Sequence, residues 1–358
     1  MIGQEVSLYR RDLQFKFPAK TSRGTYLERP SWYIVYRPTE IDKSFMGEVS
    51  PLVDLSPEYI AQRDNFDAVV KYIAQLLVEE DLQTVISSCH FSSIKFALES
   101  ISQAIAIYQG KLSLSIDKGI ETNGLVWMGD KDEMMSRLKM KLHEGYKCIK
   151  FKIGAIDFDS ELDLIKSVRK EYSPEEITIR LDANGAFKTY DEAMQKIDRL
   201  SRFDIHSLEQ PVRQGQFALM SRIISNSPIE IGLDEELIDI LPKDRERLID
   251  ELKPDYLVIK PTLHGGLSGA EDWANLILNR GGNYWITSAL EGNIGLQSIA
   301  IWCLSHYDNV NLAYGLGTGD LFTNNLPHQH QITSGILHLK SCNQIAVDKL
   351  ISDSIRIL

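Results

Sequence analysis

Two kinds of hydrophobic periodicity divide the chain. In the first part, alternating apolar and polar residues predict two strands, VSLYRRDLQFKF and SWYIVYR, joined by a polar loop, PAKTSRGTYLERP. Apolar residues at helical spacing then predict two helical regions, SPEYIAQRDNFDAVVKYIAQLLVEED and FSSIKFALESISQAIAIYQG. Strands followed by helices predict an α+β domain over residues 1–118. The loop near residues 19–24 is either a mobile connector or a lid over a functional site.

A regular alternation of strands and helices follows. The predicted strands are GLVWMG, CIKFKIG, ITIRLDANG, IHSLEQP, IEIGLDE, YLVIKP, NYWITSAL and NLAYGLG, with a helical pattern after each of the first seven. Repeated βα units predict a parallel sheet, either open and doubly wound or closed. Eight units in roughly 200 residues favour a (β/α)8 (TIM-type) barrel, and no GxGxxG motif follows a first strand. We therefore predict an α/β protein with a barrel over 119–324 and a segment, 325–358, that returns to the first domain.

The strand CIKFKIG places two lysines side by side. Lys150 and Lys152 alternate with apolar residues and so share one face of the strand. On a surface strand both amines would lie in water. A parallel strand between two helices is buried on both faces, so the pattern directs two like charges into the interior of the barrel.

The next four strands also end in ionisable residues. Asp182, Glu209, Asp234 and Lys260 follow one another at intervals of about one βα unit. Taken singly, a strand-end Asp is more often a helix cap, and a strand-end Lys is more often solvated. Because the carboxyl ends of barrel strands meet at one mouth, we expect the three carboxylates to converge there. Oxygen ligands without His or Cys favour a hard cation such as Mg2+.

Charge and cysteine content exclude several classes of function. The 358 residues carry a formal net charge of -11 and show no basic patch. This charge excludes nucleic acid as a partner and is compatible with the binding of a metal cation. The four cysteines are dispersed and form no CxxC motif, so a zinc site is not expected. We find neither a signal-peptide pattern nor an apolar run of membrane-spanning length. The expectation is a soluble, reduced, cytoplasmic protein with no membrane partner.

The motifs KFK, DANG, EQP, DE and IKP, in this order, resemble those of the enolase superfamily, in its muconate-lactonizing subgroup. The resemblance covers nearly the whole chain and implies a modified (β/α)8 barrel with an α+β capping domain. As in enolase-superfamily sites generally, it implies a lysine base and Mg2+, with Mn2+ as a substitute. The implied catalytic residues are Lys152, as the general base, and Lys260 on the opposite side of the substrate. The implied metal ligands are Asp182, Glu209 and Asp234.

Within the subgroup, four features favour a reaction that produces o-succinylbenzoate. Arg180 lies two residues before the first ligand, the first loop contains Ser22, the seventh strand ends in SALEG with Ser288, and GLGTGDLF lacks the DxD pattern of dipeptide epimerases. The implied reaction is a syn dehydration of 2-succinyl-6-hydroxy-2,4-cyclohexadiene-1-carboxylate, a step of menaquinone biosynthesis, with Lys152 as base and then acid. An N-acylamino acid racemase or dipeptide epimerase on the same Lys152 and Lys260 is the alternative.

The resemblance also implies the contacts of the small-molecule carboxylate substrate. These are Lys150, Arg180, Asn184, Ser288 and Ser22. LDEEL replaces the commoner DES, so Glu235 is expected to support the ligands without binding metal, while the role of Glu236 stays open. Lys260 either stabilises a planar intermediate by cation–π attraction or acts as a second acid/base. A non-catalytic barrel that binds metal and carboxylate would not need both Lys152 and Lys260. Lid conformation and self-association stay open.

Overall fold

The computed structural model describes residues 4–21, 24–114, 117–154, 156–306, 312–318, 321–327, 329–341, 350 and 354–358. Within them, an antiparallel sheet with helices on it forms a cap, and a parallel seven-stranded sheet surrounded by helices forms the larger part of the chain. None of the helices in these ranges is long and apolar enough to cross a membrane.

The cap is built from a hairpin, a third strand and four helices. The strands of this part of the chain are β1 (Glu5–Thr21), β2 (Gly24–Arg37) and β3 (Phe45–Val49). With the C-terminal strand β14 (Ile355–Arg356), the order along the sheet is β14-β1-β2-β3. The helices are α1 (Pro57–Gln62), α2 (Phe66–Glu79), α3 (Leu82–Ser88) and α4 (Ser92–Tyr108). Trp32, Tyr59 and Phe66 pack edge to face or tilted in the core between sheet and helices.

Two features of the cap differ from the sequence prediction. The β1–β2 ladder continues to Thr21 and Gly24, where we predicted a loop. It is irregular only between Gln14 and Ala19, a stretch that contains Pro18, which has no amide proton to donate. Strand β3 was not predicted, because its residues FMGEV are all buried and show no alternation.

The parallel sheet follows the predicted βα order. After β4 (Ile120–Glu121), its strands are β5 (Gly124–Val126), β6 (Cys148–Lys152), β7 (Thr178–Asp182), β8 (Ser207–Glu209), β9 (Ile231–Leu233), β10 (Tyr256–Ile259) and β11 (Asn283–Ile286). The helices are α5 (Lys131–His143), α6 (Phe158–Glu171), α7 (Tyr190–Leu200), α8 (Phe217–Asn226), α9 (Pro242–Leu252), α10 (Gly266–Leu278) and α11 (Asn293–His306). Each strand pairs in parallel with the next, as predicted.

The predicted eighth strand is reduced to two residues. The amide of Gly315 donates to Ile286 O at 2.8 Å, and that of Tyr314 donates to Glu121 O at 2.8 Å. Isolated parallel bridges join the same two residues to Thr287 and Thr122, so this pair closes the barrel between β11 and β5. A Cβ on Gly315 would overlap the side chain of Thr287, so a larger residue does not fit this seam.

The C-terminal part of the chain contacts both the barrel and the cap. A hairpin of β12 (His330–Thr333) and β13 (Ile336–Leu339) pairs with β4, and β14 (Ile355–Arg356) pairs with β1. The pairing of β14 supports our proposal that residues 325–358 return to the cap. The boundaries of the three proposed segments, 1–118, 119–324 and 325–358, remain predictions.

Candidate active site

Three carboxylates meet at the carboxyl ends of β7, β8 and β9. Asp182, Glu209 and Asp234 are fully buried, and one oxygen of each lies within 4.8 Å of the others. The parallel register explains the convergence, because Asp182 is the direct partner of both Lys152 on β6 and Glu209 on β8. The structure therefore brings together the three predicted metal ligands.

Three lysine amines surround the carboxylates. Lys150 Nζ lies 3.1 Å from Asp182 Oδ2 and also donates to Glu209. Lys152 Nζ donates to Asp182 Oδ2 at 3.0 Å, and Lys260 Nζ donates to the two oxygens of Asp234 at 2.6 and 2.5 Å. None of the three amines is in open water, since each side chain is at most 14% exposed. These lysines are therefore not solvated rim residues.

Helix capping does not explain the strand-end acids. Asp182 accepts a bond from the amide of Asn184 at 3.0 Å, which is a local turn contact. The next helix, α7, is instead capped by Thr189, whose side chain accepts from Glu192 N. Asp234 precedes a short turn and its side chain makes no capping bond. The carboxylates of both acids remain directed at the lysines.

The electrostatics of the cluster follow from burial and from mutual attraction. Burial raises the pKa of Glu209. Burial also opposes ionisation of Asp182, but the neighbouring Lys150 and Lys152 hold its pKa below the ordinary value. Burial disfavours the charged amines of Lys150 and Lys260, yet the surrounding carboxylates raise the pKa of both. Each charge in this pocket therefore depends on an opposite charge nearby.

The donor set fits a hard divalent cation. Glu209 Oε1 is buried and has no hydrogen-bond partner among the described residues, although the other oxygen of this carboxylate accepts from Lys150. An orphaned carboxylate oxygen in such a position is costly unless a positive group meets it. Asp182, Glu209 and Asp234 offer oxygen ligands alone, which Mg2+ prefers over softer donors. These three residues could hold a metal ion.

A cavity opens above the cluster, with walls from both cap and barrel. The barrel contributes the three lysines, Asn184, Glu235 and Ser288, and apolar walls from Leu125, Trp127 and Leu290. The cap contributes Leu52 and Leu55 together with Tyr26, whose hydroxyl donates to Asp54. Sequence reasoning missed these cap residues, because nothing local relates residues 26 and 54 to the barrel. The predicted Ser22, with Arg23 beside it, lies outside the described residues.

Asn184 and Ser288 occupy defined positions in the cavity wall. Asn184 Oδ1 accepts from Lys152 at 2.7 Å, and its Nδ2 donates to Glu235 at 3.1 Å. Ser288 donates to Glu291 at 2.7 Å and accepts from Thr318 at 2.7 Å. The hydroxyl of Ser288 is thus oriented by its neighbours before any ligand binds.

Arg180 does not reach the cavity. It lies two residues before Asp182, and its guanidinium turns away to stack 4.0 Å from the ring centre of Trp285. It also donates to Ala313 O at 2.6 Å. The predicted substrate contact at Arg180 is therefore not among those that the structure brings together.

The residues after Asp234 separate in space. Glu235 lines the cavity and accepts from Asn184, whereas Glu236 turns to accept from the amide of Gly215 at 2.8 Å.

His264 is buried, and its Nδ1 accepts from the amide of Lys260 at 3.0 Å. Burial and the nearby Lys260 place the pKa of His264 well below its ordinary value, so the ring is neutral. It thus helps to hold the strand end that carries Lys260.

Comparisons with known proteins agree with this geometry. Residues 133–341 match the family described as enolase C-terminal domain-like. The chain belongs to the enolase superfamily. Over 94% of its length it is 38% identical to 99% of an o-succinylbenzoate synthase of Desulfotalea psychrophila. The crystal structure of MenC from Desulfotalea psychrophila LSv54 superposes with a TM-score of 0.76 at 35% identity, covering 94% of this chain and 100% of that one.

A less similar protein shares the fold. A substrate-liganded L-Ala-D/L-Glu epimerase from Bacillus subtilis superposes with a TM-score of 0.81 at 18% identity, covering 95% of this chain and 96% of that one. The predictions of the superfamily, of an α/β barrel with a separate cap, and of an enolase-superfamily lyase are thereby confirmed.

Proposed function

We propose that the protein dehydrates 2-succinyl-6-hydroxy-2,4-cyclohexadiene-1-carboxylate to o-succinylbenzoate, a step of menaquinone biosynthesis. The main observation in support is that Lys152 and Lys260 line the same cavity and lie on either side of the three buried carboxylates. Two amines flanking a metal-binding cluster suit removal of a proton α to a carboxylate. The similarity to the Desulfotalea psychrophila synthase over nearly the whole chain supports this choice of reaction.

Lys152 is the proposed base and acid. Its amine would take the proton from the ring carbon that bears the carboxylate, which leaves an enediolate. The bond between the neighbouring carbon and its hydroxyl then breaks, and the same amine returns the proton so that water leaves. Because one side chain performs both transfers, elimination is syn. The ring becomes aromatic, which supplies driving force.

The other charged groups would stabilise rather than transfer. Asp182, Glu209 and Asp234 would hold Mg2+, or Mn2+ in its place, and the bound ion would supply positive charge beside the substrate carboxylate. Lys150 is buried beside Asp182. It would stay charged and face the carboxylate of the substrate. Lys260 would meet the planar intermediate from the other side by cation–π attraction. Ser288 and Asn184 would orient the substrate, with Glu235 supporting Asn184.

The direct experiment uses the purified full chain. With Mg2+ and the cyclohexadiene substrate, we expect o-succinylbenzoate, detected by its aromatic absorbance. EDTA should abolish product formation, and added Mg2+ should restore it. Absence of product from the Mg2+-loaded protein would refute the proposed reaction.

An epimerase or racemase is the second candidate, favoured by the position of Lys260. Its amine lines the same cavity as that of Lys152, as a two-base reaction requires. Exchange of the α-proton of an N-acylamino acid or dipeptide in D2O, lost in both Lys152→Ala and Lys260→Ala, would support this activity. A Lys260→Arg variant that retains dehydration would instead assign Lys260 an electrostatic role.

The setting of the enzyme is also a proposal. Cys89, Cys148 and Cys303 are free and buried, which is consistent with the reducing cytoplasm that we propose. The expected ligand is a small carboxylate, and neither nucleic acid nor membrane is proposed as a partner.

A further inference from the structure

Gln210, in the EQP motif, adopts an unusual backbone conformation directly after Glu209. Its φ is +39°, in the left-handed region that non-glycine residues rarely occupy. Its side chain is almost fully buried. A residue keeps such a conformation only where the surroundings determine it, and these positions cluster at functional sites. The contacts of Gln210 therefore need an explanation.

The side-chain amide of Gln210 reaches the next strand end. Its Oε1 accepts from the backbone amide of Asp234 at 3.1 Å and from that of Glu236 at 3.3 Å. Its Nε2 donates to Val212 O at 3.0 Å, which fixes the orientation of the amide group. One oxygen thus accepts from two backbone amides of the turn that begins with Asp234.

The backbone of Gln210 reaches the strand ends on both sides. Its carbonyl accepts from the amide of Gly185, in the loop after Asp182, at 2.7 Å. Its own amide donates to Gly232 O on β9 at 2.9 Å. A single residue at the end of β8 therefore bonds to the ends of both neighbouring strands, and so links the three strand ends that carry the carboxylates.

We propose that Gln210 is a positioning residue that sets the spacing of the metal-binding carboxylates. It lies next to Glu209, it holds the backbone of Asp234 through its side chain, and it bonds to the loop of Asp182 through its carbonyl. Hydrogen bonds from neighbours fix the orientation of metal ligands and tune affinity. The inference rests on the proposed metal site but not on the identity of the substrate.

The test is the affinity of the full-length protein for Mn2+, measured by isothermal titration calorimetry without substrate. Gln210→Met keeps the length of the side chain and the backbone strain but removes the acceptor. We expect its Kd to rise about 10- to 100-fold. The matched control is Gln214→Met, because the Gln214 amide donates to Ile238 O at 3.2 Å in the neighbouring loop.

Thermal unfolding of each metal-free variant separates positioning from a merely structural role. A Gln210→Met protein that unfolds at lower temperature but binds Mn2+ like the wild type overturns the inference. If the wild type itself binds no Mn2+, the proposed metal site fails and this inference fails with it. Absence of turnover with normal Mn2+ binding would instead refute only the proposed reaction.

Discussion

The barrel contains two polar layers that use opposite means to accommodate charge. The ligand layer, at the carboxyl ends of the strands, consists of three carboxylates and three lysines: Asp182, Glu209, Asp234, Lys150, Lys152 and Lys260. The floor layer, nearer the amino ends, consists of Arg180, His206, Tyr256 and Trp285. The first layer balances charges against each other and opens onto the cavity. The second places the guanidinium of Arg180 on the Trp285 ring and disfavours protonation of His206.

His206 shows how differently the floor layer treats ionisation. Its ring packs 5.0 Å from that of Tyr256, and its Nδ1 lies 3.0 Å from the Ser207 hydroxyl. Burial, and next the charge of Arg180, lower the pKa of His206 to about 4. The titratable groups of the ligand layer are proposed to take part in the reaction, whereas the titration of His206 in the floor layer makes stability depend on pH. Variants in the two layers should therefore have effects of different kinds.

The largest effect is expected for Lys152→Ala. Loss of the proposed base should lower kcat about 1000-fold, within the range for general acid–base groups. Binding of o-succinylbenzoate, measured by calorimetry, should be retained because Lys150 and the metal ligands remain. Lys147→Ala, an exposed lysine just before β6, is the control. Turnover within tenfold of the wild type would remove Lys152 from the role of base.

Asp182→Asn should abolish stabilisation by metal. With Mg2+ at about 100 times its Kd, the free energy of unfolding of the wild type should rise by about 2.7 kcal/mol. The variant lacks one ligand charge, so its melting temperature should not respond to Mg2+. Differential scanning fluorimetry with and without Mg2+ measures both, with the exposed Asp198→Asn as the control. An unchanged Mg2+ response in Asp182→Asn would contradict the assignment of this ligand.

His206→Gln should change the pH dependence of stability without affecting catalysis. The folded protein takes up the proton with a pKa of about 4, whereas unfolded His titrates near its ordinary value of 6.5. Unfolded chains therefore bind more protons in this window, and stability is lost as the pH falls from 6.5 to 4. The variant should reduce this loss by about 1–3 kcal/mol, measured by urea unfolding at several pH values. His143→Gln, exposed in α5, should leave the loss unchanged.

Arg180→Met should have the smallest effect and test the division between layers. Removing the guanidinium should raise the pKa of His206 toward its ordinary value, because Arg180 is the second cause of its depression. NMR titration of the imidazole measures this shift. Since Arg180 does not line the cavity, KM should change less than about threefold. A tenfold rise in KM, with His206 unaffected, would instead restore the predicted contact between Arg180 and substrate.

The motif residues could be predicted from sequence because a parallel barrel imposes a simple rule. The carboxyl ends of successive barrel strands lie side by side around one mouth, so acids and lysines one βα unit apart must converge there. The KFK alternation places Lys150 and Lys152 on the same face of their strand. The rule does not predict the direction of a long side chain. Lys150 and Arg180 are register partners on neighbouring strands, yet the Lys150 amine reaches the ligand layer and the Arg180 guanidinium turns to the floor layer.

Contacts between distant segments could not be predicted either. Tyr26 and Asp54 face the cavity only because the cap is placed over the barrel mouth, and no local pattern encodes that placement. The role of Gln210 was also missed, because a polar residue after a ligand gives no sign of which backbone amides it will accept from. The two-residue seam was predicted as a full strand, since NLAYGLG is apolar enough for one.

At that seam the barrel wall is joined by fewer residues than elsewhere in the ring. Tyr314 and Gly315 hold β11 to the start of β5 on the side of the ring opposite Glu209, four strand positions away. Next to the seam lie Asn123 and Ser288, which line the cavity above the three carboxylates. The three carboxylates therefore lie on a continuous part of the ladder, β7 to β9, whereas the wall beside Asn123 and Ser288 is joined through two residues and admits no larger side chain at Gly315.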